Sequence, residues 1–170
     1  QIANGGYKIK PKILTDDNEP TSKQIKKAME DSNLNNLYIP LFDNQKNIKI
    51  IQEAMFSSTN ELRGTSYRSR IDDPKYQFAG KTGTAQVKAI SKRERELDLK
   101  TFQIPYEERD HALYVAFGPY KNPRYAVSII VEHGGSGSSA AAPIATELFK
   151  LIVDRHEYRK KLPDYKEFNI

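Results

Sequence analysis

The chain has 170 residues and a mass of 19.4 kDa, enough for one domain or one large piece of a bigger domain. Basic residues exceed acidic ones by 27 − 22 = 5, a mildly basic balance well below the charge density of a dedicated nucleic-acid binder. The absence of cysteine excludes disulfides, zinc-thiolate sites and a thiol nucleophile, and the most apolar long stretch, Ala140 to Val153, is too short to span a bilayer and is broken by Pro143, Glu147 and Lys150.

There is no initiator Met, and the opening Gln1-Ile2-Ala3-Asn4-Gly5-Gly6 reads as a helix end running into its glycine cap. The chain is therefore expected to be a piece of a longer protein. Tyr7 to Leu14 alternates apolar and basic residues up to Pro11, the pattern of a short edge strand. Thr21 to Ser32 places Ile25, Ala28 and Met29 at i, i+3 and i+4, predicting a small amphipathic helix. After a turn-prone, Asn-rich stretch, Asn47 can cap a second helix with Ile48, Ile51, Ala54 and Met55 on its buried face. Gly64 to Pro74 reads as irregular. Tyr76 to Val87 predicts a strand with small residues where something approaches its backbone closely.

The segment from Lys88 to Asp110 is charged and predicts a long solvated loop or a short exposed helix. His111 to Gly118 and Tyr125 to Glu132 predict two antiparallel strands joined by Pro119-Tyr120-Lys121-Asn122-Pro123. Gly134 to Ser139 is a Gly/Ser loop. Ala140 to His156 predicts a helix with Ile144, Leu148, Leu151 and Ile152 on one face. A domain over residues 1–156 followed by a charged tail over 157–170 is the expected organisation.

Three patterns mimic functional motifs. Gly80-Lys81-Thr82 lacks the glycine that a phosphate-binding loop needs five positions earlier, where Lys75 stands, and the segment continues as strand rather than helix. Gly135-x-Gly137-x-x-Ala140 lacks the following strand with its acidic residue that a dinucleotide fingerprint requires. His111, His133 and His156 have no metal-ligand spacing, so no metal is expected. Asp110 beside His111 is a different matter, because an adjacent acid can fix an imidazole tautomer.

The specific signal is Lys81-Thr82-Gly83-Thr84. Within a strand, an ammonium, two hydroxyls and a residue without side chain build a one-sided cationic rail for a carboxylate. The backbone N–H of Thr84 is offered to a developing oxyanion, the preorganised donor that acyl transfer needs.

With its surroundings, Phe78-Ala79-Gly80-Lys81-Thr82-Gly83-Thr84-Ala85-Gln86-Val87 resembles the third active-site motif of penicillin-binding proteins. Arg109 to Tyr120, Val131 to Pro143, Ala3-Asn4-Gly5-Gly6 and Gly64-Thr65-Ser66-Tyr67-Arg68 look, in matching order, like class B penicillin-binding protein 2, the elongation transpeptidase. The resemblance implies an α/β fold of the α+β type, an antiparallel sheet packed with helices, forming the C-terminal half of a transpeptidase domain related to β-lactamases. It implies that Lys81, Thr82 and Thr84 bind the terminal carboxylate of a stem peptide ending in D-Ala-D-Ala or of a β-lactam. It further implies that Gly83 permits close approach and that the Thr84 N–H shares the oxyanion hole, with Asp110 and His111 in support.

The family also uses S-x-x-K with the acylated serine, and S-x-N. No serine here has lysine three residues later, so the nucleophile is missing from the chain and this piece alone is expected to be inactive. Ser58-Thr59-Asn60 fits S-x-N but lies in the wrong order, and reads as a helix terminus. No cofactor is implied. The implied partners are peptidoglycan stem peptides, β-lactams, the remainder of the transpeptidase domain and elongation-machinery proteins, without nucleic acid. The implied setting is the periplasmic domain of an inner-membrane-anchored protein. Two other readings compete: a non-catalytic module holding peptidoglycan or a partner on the same rail, and an RNA-binding domain resting only on net charge and ten tyrosines.

Overall fold

The computed structural model describes residues 1–7, 44–89, 96–97 and 99–163. The strand expected from Tyr7 and the helix expected from Thr21 lie outside them, apart from Tyr7 itself. At the start of the chain, Gly6 N–H bonds to Gln1 O at 2.9 Å and Gly5 N–H to Ile2 O at 3.3 Å. With Gly5 at φ +90°, this paired closure is that of a helix C-terminus on glycine, as the opening residues suggested.

The frame is a three-stranded antiparallel sheet, β1 (Ala79–Ala85), β2 (His111–Gly118) and β3 (Tyr125–Val131), with β2 in the centre. The register pairs Lys81 with Val115, Thr82 with Tyr114 and Gly83 with Leu113, and on the other side Tyr114 with Ile129. The fold class and the three strands are as the sequence indicated. β1 is shorter than the expected Tyr76 to Val87. Tyr76 N–H closes a turn on Asp73 O and Gln77 O accepts from Tyr120 N–H, so neither backbone group joins the ladder. Beyond Ala85, the Val87 N–H turns to the Asp110 carboxylate at 3.3 Å.

Alternation along β2 buries Ala112, Tyr114 and Ala116 on one face. There, α2 (Ala142–Arg159) is packed through Ala142, Ala145, Phe149 and Val153, which recur at i, i+3, i+7 and i+11. Phe149 stacks on Phe78 with centroids 4.8 Å apart. This corrects the expected face of the last helix: Ile144 is 43% and Leu151 67% exposed, while Leu148 packs only against the margin of the core. Small alanines win the inner stripe because they let the helix axis come close to the sheet, and the large aliphatic residues are left outside. A single π-type turn, Gly137–Ala141, leads into α2 where a Gly/Ser loop was expected.

The helix before the sheet, α1 (Gln45–Asn60), begins at Asn44, whose side chain accepts from Lys46 N–H at 3.0 Å. Asn47, the expected cap, is inside the first turn. Its inner stripe runs through Ile48, Gln52, Met55 and Thr59, so Ile51 and Ala54 face outward, contrary to expectation. Gln52 belongs to this stripe because its amide donates to Ile2 O at 2.6 Å, a polar anchor that a count of apolar residues passes over. The described part of the charged segment forms two exposed single turns, Thr101–Gln103 and Tyr106–Glu108. No helix among the described residues is long and apolar enough to cross a membrane.

Candidate functional site

Lys81 to Thr84 occupy the middle of β1, an edge strand whose second side carries no partner strand among the described residues. Because side chains alternate, Lys81 and Gly83 share a face with Val115 and Leu113, whereas Thr82 and Thr84 share the opposite face with Tyr114 and Ala112. The expected one-sided rail is thus corrected: the ammonium and the two hydroxyls are on opposite faces, and what all four residues share is the open edge. Lys81 is exposed, and its Nζ donates to the Thr82 carbonyl at 2.7 Å, which folds the charge back along the strand.

The glycines of this region are small for different reasons. At Gly83, an added Cβ would meet only Leu113 Cβ, at 3.3 Å. At Gly80 it would lie 2.1 Å from the Tyr114 hydroxyl, and at Gly137 2.3 Å from Leu113 O and 2.7 Å from Gly83 O. The interior therefore demands Gly80 and Gly137, and the π-type turn is pressed directly against the backbone of Gly83. Packing makes no comparable demand at Gly83, where the missing side chain leaves room on a half-buried strand.

Asp110 and His111 stand at the start of β2, opposite Ala85. Asp110 is committed to the backbone: its carboxylate accepts from Val87 N–H and its carbonyl from Gly135 N–H at 2.8 Å. The partner that fixes the His111 tautomer is His133, whose backbone N–H donates to His111 Nδ1 at 3.0 Å. This leaves the proton of neutral His111 on Nε2. His133, at φ +55°, sits with Nδ1 3.1 Å from Arg109 O, a contact that requires Nδ1 to donate. The two rings meet edge to face at 4.8 Å, and Tyr106 covers His133 at 5.0 Å. Two histidines that look isolated in sequence are therefore neighbours. Among the described residues no group of three or more His, Asp or Glu side chains could hold a metal ion.

Ser58-Thr59-Asn60 forms the last turn of α1, in keeping with a helix terminus. Asn60 Nδ2 donates to Phe56 O at 3.0 Å and to Phe78 O at 2.9 Å, tying the helix to the segment entering β1. Sequence reasoning missed Tyr114 and Ser66, which meet Thr59 beneath Gly80. A tyrosine in a hydrophobic strand and a serine in a loop carry no pattern that pairs them. At the far end of the sheet, Lys75 Nζ donates to Asp154 Oδ1 at 2.8 Å and to Tyr76 Oη at 3.0 Å. These contacts, Asp154 foremost, hold the Lys75 ammonium above its ordinary range, and the Lys75 and Tyr76 hydrogen bonds hold the Asp154 carboxyl below its own.

A family model for the penicillin binding protein transpeptidase domain matches residues 1–150. The chain belongs to that family. Among curated relatives, the peptidoglycan D,D-transpeptidase MrdA of Haemophilus influenzae is 30% identical over 164 residues, which is 93% of this chain. The chain spans 24% of the length of that relative. Among solved structures, Pseudomonas aeruginosa PBP2 in complex with WCK 5153 superposes with a TM-score of 0.57 at 28% identity, over 91% of this chain and 29% of that one. PBP2 of Helicobacter pylori, solved in complex with MreC, does so with a TM-score of 0.52 at 29% identity, over 71% of this chain and 19% of that one. The resemblance read from the K-T-G strand is thus one of family and of fold, and it reaches the PBP2 branch of the penicillin-binding proteins.

Proposed function

We propose that the chain supplies the substrate-carboxylate strand of a serine-type peptidoglycan D,D-transpeptidase that cross-links stem peptides in cell-wall elongation and is acylated by β-lactams. The observation that carries this reading is the open edge of β1, where Lys81, Thr82 and Thr84 flank a glycine that the interior does not require. A peptide or antibiotic can lie along such an edge as an added strand, with its carboxylate near the ammonium and hydroxyls and its reacting carbonyl near the Thr84 N–H. Gly83 permits the approach.

In the reaction, a serine oxygen attacks the penultimate D-Ala carbonyl, the bond to the terminal D-Ala breaks, and that residue leaves with the proton. The amine of a second stem then attacks the ester, forming the cross-link and restoring the serine. Preorganised N–H donors stabilise the oxyanion in both steps. The serine and its lysine belong to the remainder of the transpeptidase domain, so this chain alone is inactive. Asp110 acts by holding the exit of β1 through the Val87 N–H, and His111 by bracing the start of β2 against the turn after β3.

The same reading takes residues 1–156 as the domain portion and 157–170 as its tail, in the periplasm on an inner-membrane anchor. Elongation-machinery proteins are partners, a reading supported by the Helicobacter pylori relative solved with MreC. Intact mass spectrometry after incubation with a β-lactam tests the assignment, on this chain and on the protein extended upstream to the length of its relatives. One antibiotic mass on the longer protein only is the expected result. No adduct on either would favour a non-catalytic binding module, and an adduct on the short chain would refute the account of the missing serine.

A further inference from the structure

We propose that Tyr114 is a positioning residue for the K-T-G strand: its side chain forms a buried strut that passes beneath Gly80 and ties β2 to the end of α1, with β1 seated on it. The proposal rests on the transpeptidase reading above and extends it to a residue outside the three family motifs. Tyr114 lies on central strand β2, opposite Thr82, and faces the interior. Its ring runs across the position where Gly80 would carry a Cβ, 2.4 Å from the ring carbon bearing the hydroxyl and 2.1 Å from the hydroxyl itself. The phenol oxygen then emerges 2.9 Å from Thr59 Oγ1 and 3.0 Å from Ser66 Oγ. Tyr114 and Thr59 are fully buried and Ser66 is 1% exposed.

The hydroxyl protons can be assigned by valence. Ser66 donates to the Ser58 carbonyl at 3.1 Å, so its oxygen is left to accept. Tyr114 then donates to Ser66, and Thr59 donates to Tyr114, the nearest of its acceptors, Met55 O and Ser66 Oγ both being more distant at 3.4 Å. Three hydroxyls thus form one directed chain that ends on the backbone of α1, an arrangement in which each bond polarises the next. Burial pushes the Tyr114 phenol up, and the bonds to Ser66 and Thr59 offset this only in part, so the group stays protonated and able to donate. A phenylalanine would fill the same space, and a buried hydroxyl is costly unless bonded. The hydroxyl is therefore best explained by the tie it makes. With the ring so held against Gly80 and Asn60 bonded to Phe78 O, β1 is supported on both sides of Ala79, immediately before Lys81.

The test is made on the protein extended to the length of its relatives, with Tyr114→Phe as the variant and Thr146→Val as the control. Thr146 Oγ1 makes a comparable tie, 2.6 Å to Ser69 O, on the α2 side and away from the strand. Tyr114→Phe is expected to lower the second-order rate constant of acylation by a labelled penicillin about tenfold, as small misplacements of positioning groups do. It should also speed amide exchange at Lys81 to Thr84. Thr146→Val is expected to lower the melting temperature and change neither.

The strut is overturned if Tyr114→Phe acylates at the wild-type rate, if exchange at Lys81 to Thr84 is unchanged, or if Thr146→Val slows acylation equally. A wild-type protein that takes up no antibiotic refutes the transpeptidase reading instead. The strut then stands or falls on exchange at Lys81 to Thr84 alone.

Discussion

Gly137→Ala and Gly83→Ala, the same chemical change at two residues in backbone contact, are expected to have opposite effects. At Gly137 the new Cβ would lie 2.3 Å from Leu113 O and 2.7 Å from Gly83 O, where ordinary contact begins at 3.4 Å. Both neighbours are backbone atoms in paired strands, so relief needs a shift of about 1 Å in close-packed surroundings. Overpacking of this kind costs about 1–3 kcal/mol. At Gly83 the one neighbour is a side-chain carbon at 3.3 Å, which can give by a tenth or two, and the change in stability is expected to stay within about 0.5 kcal/mol.

Urea denaturation with a common slope measures both stabilities, and β-lactam acylation of the extended protein measures the proposed function. Gly137→Ala should unfold at distinctly lower urea. Gly83→Ala should unfold with the wild type and, on the proposed function, lose acylation, because its methyl would occupy the space through which the ligand is proposed to approach. A Gly137→Ala protein as stable as the wild type would refute the packing argument. Full acylation of Gly83→Ala would refute the role given to the open edge.

Other expected outcomes are equally direct. Phe149→Ala, which removes a fully buried ring stacked on Phe78, should cost about 3–5 kcal/mol in the same denaturation assay. Leu151→Ala, on the outer face of the same helix, should change stability by less than about 0.5 kcal/mol; a larger loss would mean that the helix is rotated from the orientation described. An NMR titration should find the Asp154 carboxyl below its ordinary value of 3.8 and rising towards it in Lys75→Met, with Lys75 the first cause and Tyr76 the second. Since the folded-state value is the lower one, the pair's contribution is present above the unfolded pKa and is lost as pH falls through the folded value. Both groups are exposed, so high salt should erase most of the contribution.

The sheet was legible because its three strands carry dense apolar runs bounded by turn residues, and the K-T-G strand because its residue types are rare in that order. Helix faces were less legible. Ranking residues by hydrophobicity puts Ile144 and Leu151 inside, whereas the observed contact with the sheet selects Ala142 and Ala145, which bury little area but permit approach. Gln52 and Thr59 belong to the inner stripe of α1 for hydrogen-bonding reasons invisible to a hydropathy period. Asp110 stands next to His111 in sequence, yet the tautomer is set by His133, brought there by the β2–β3 pairing. The K-T-G side chains suggest one rail because they are adjacent in sequence, while the pleat sends Lys81 and the two threonines to opposite faces.

The layer between α2 and the sheet is thin where alanines line it. Ala112, Ala116, Ala141, Ala142 and Ala145 are all nearly or wholly buried there, beside the stacked rings of Phe78 and Phe149, so where the alanines lie only methyl groups separate helix from sheet, like two plates bolted on a thin gasket. Such a joint has one thickness. A single added methylene cannot be absorbed by a rotamer change and must be taken up by moving a whole element, with β1 and its open edge downstream of that movement. Sequence drift in this protein should therefore accumulate on the outer side of the helix, where Leu151 sits, and scarcely at all along the alanine seam.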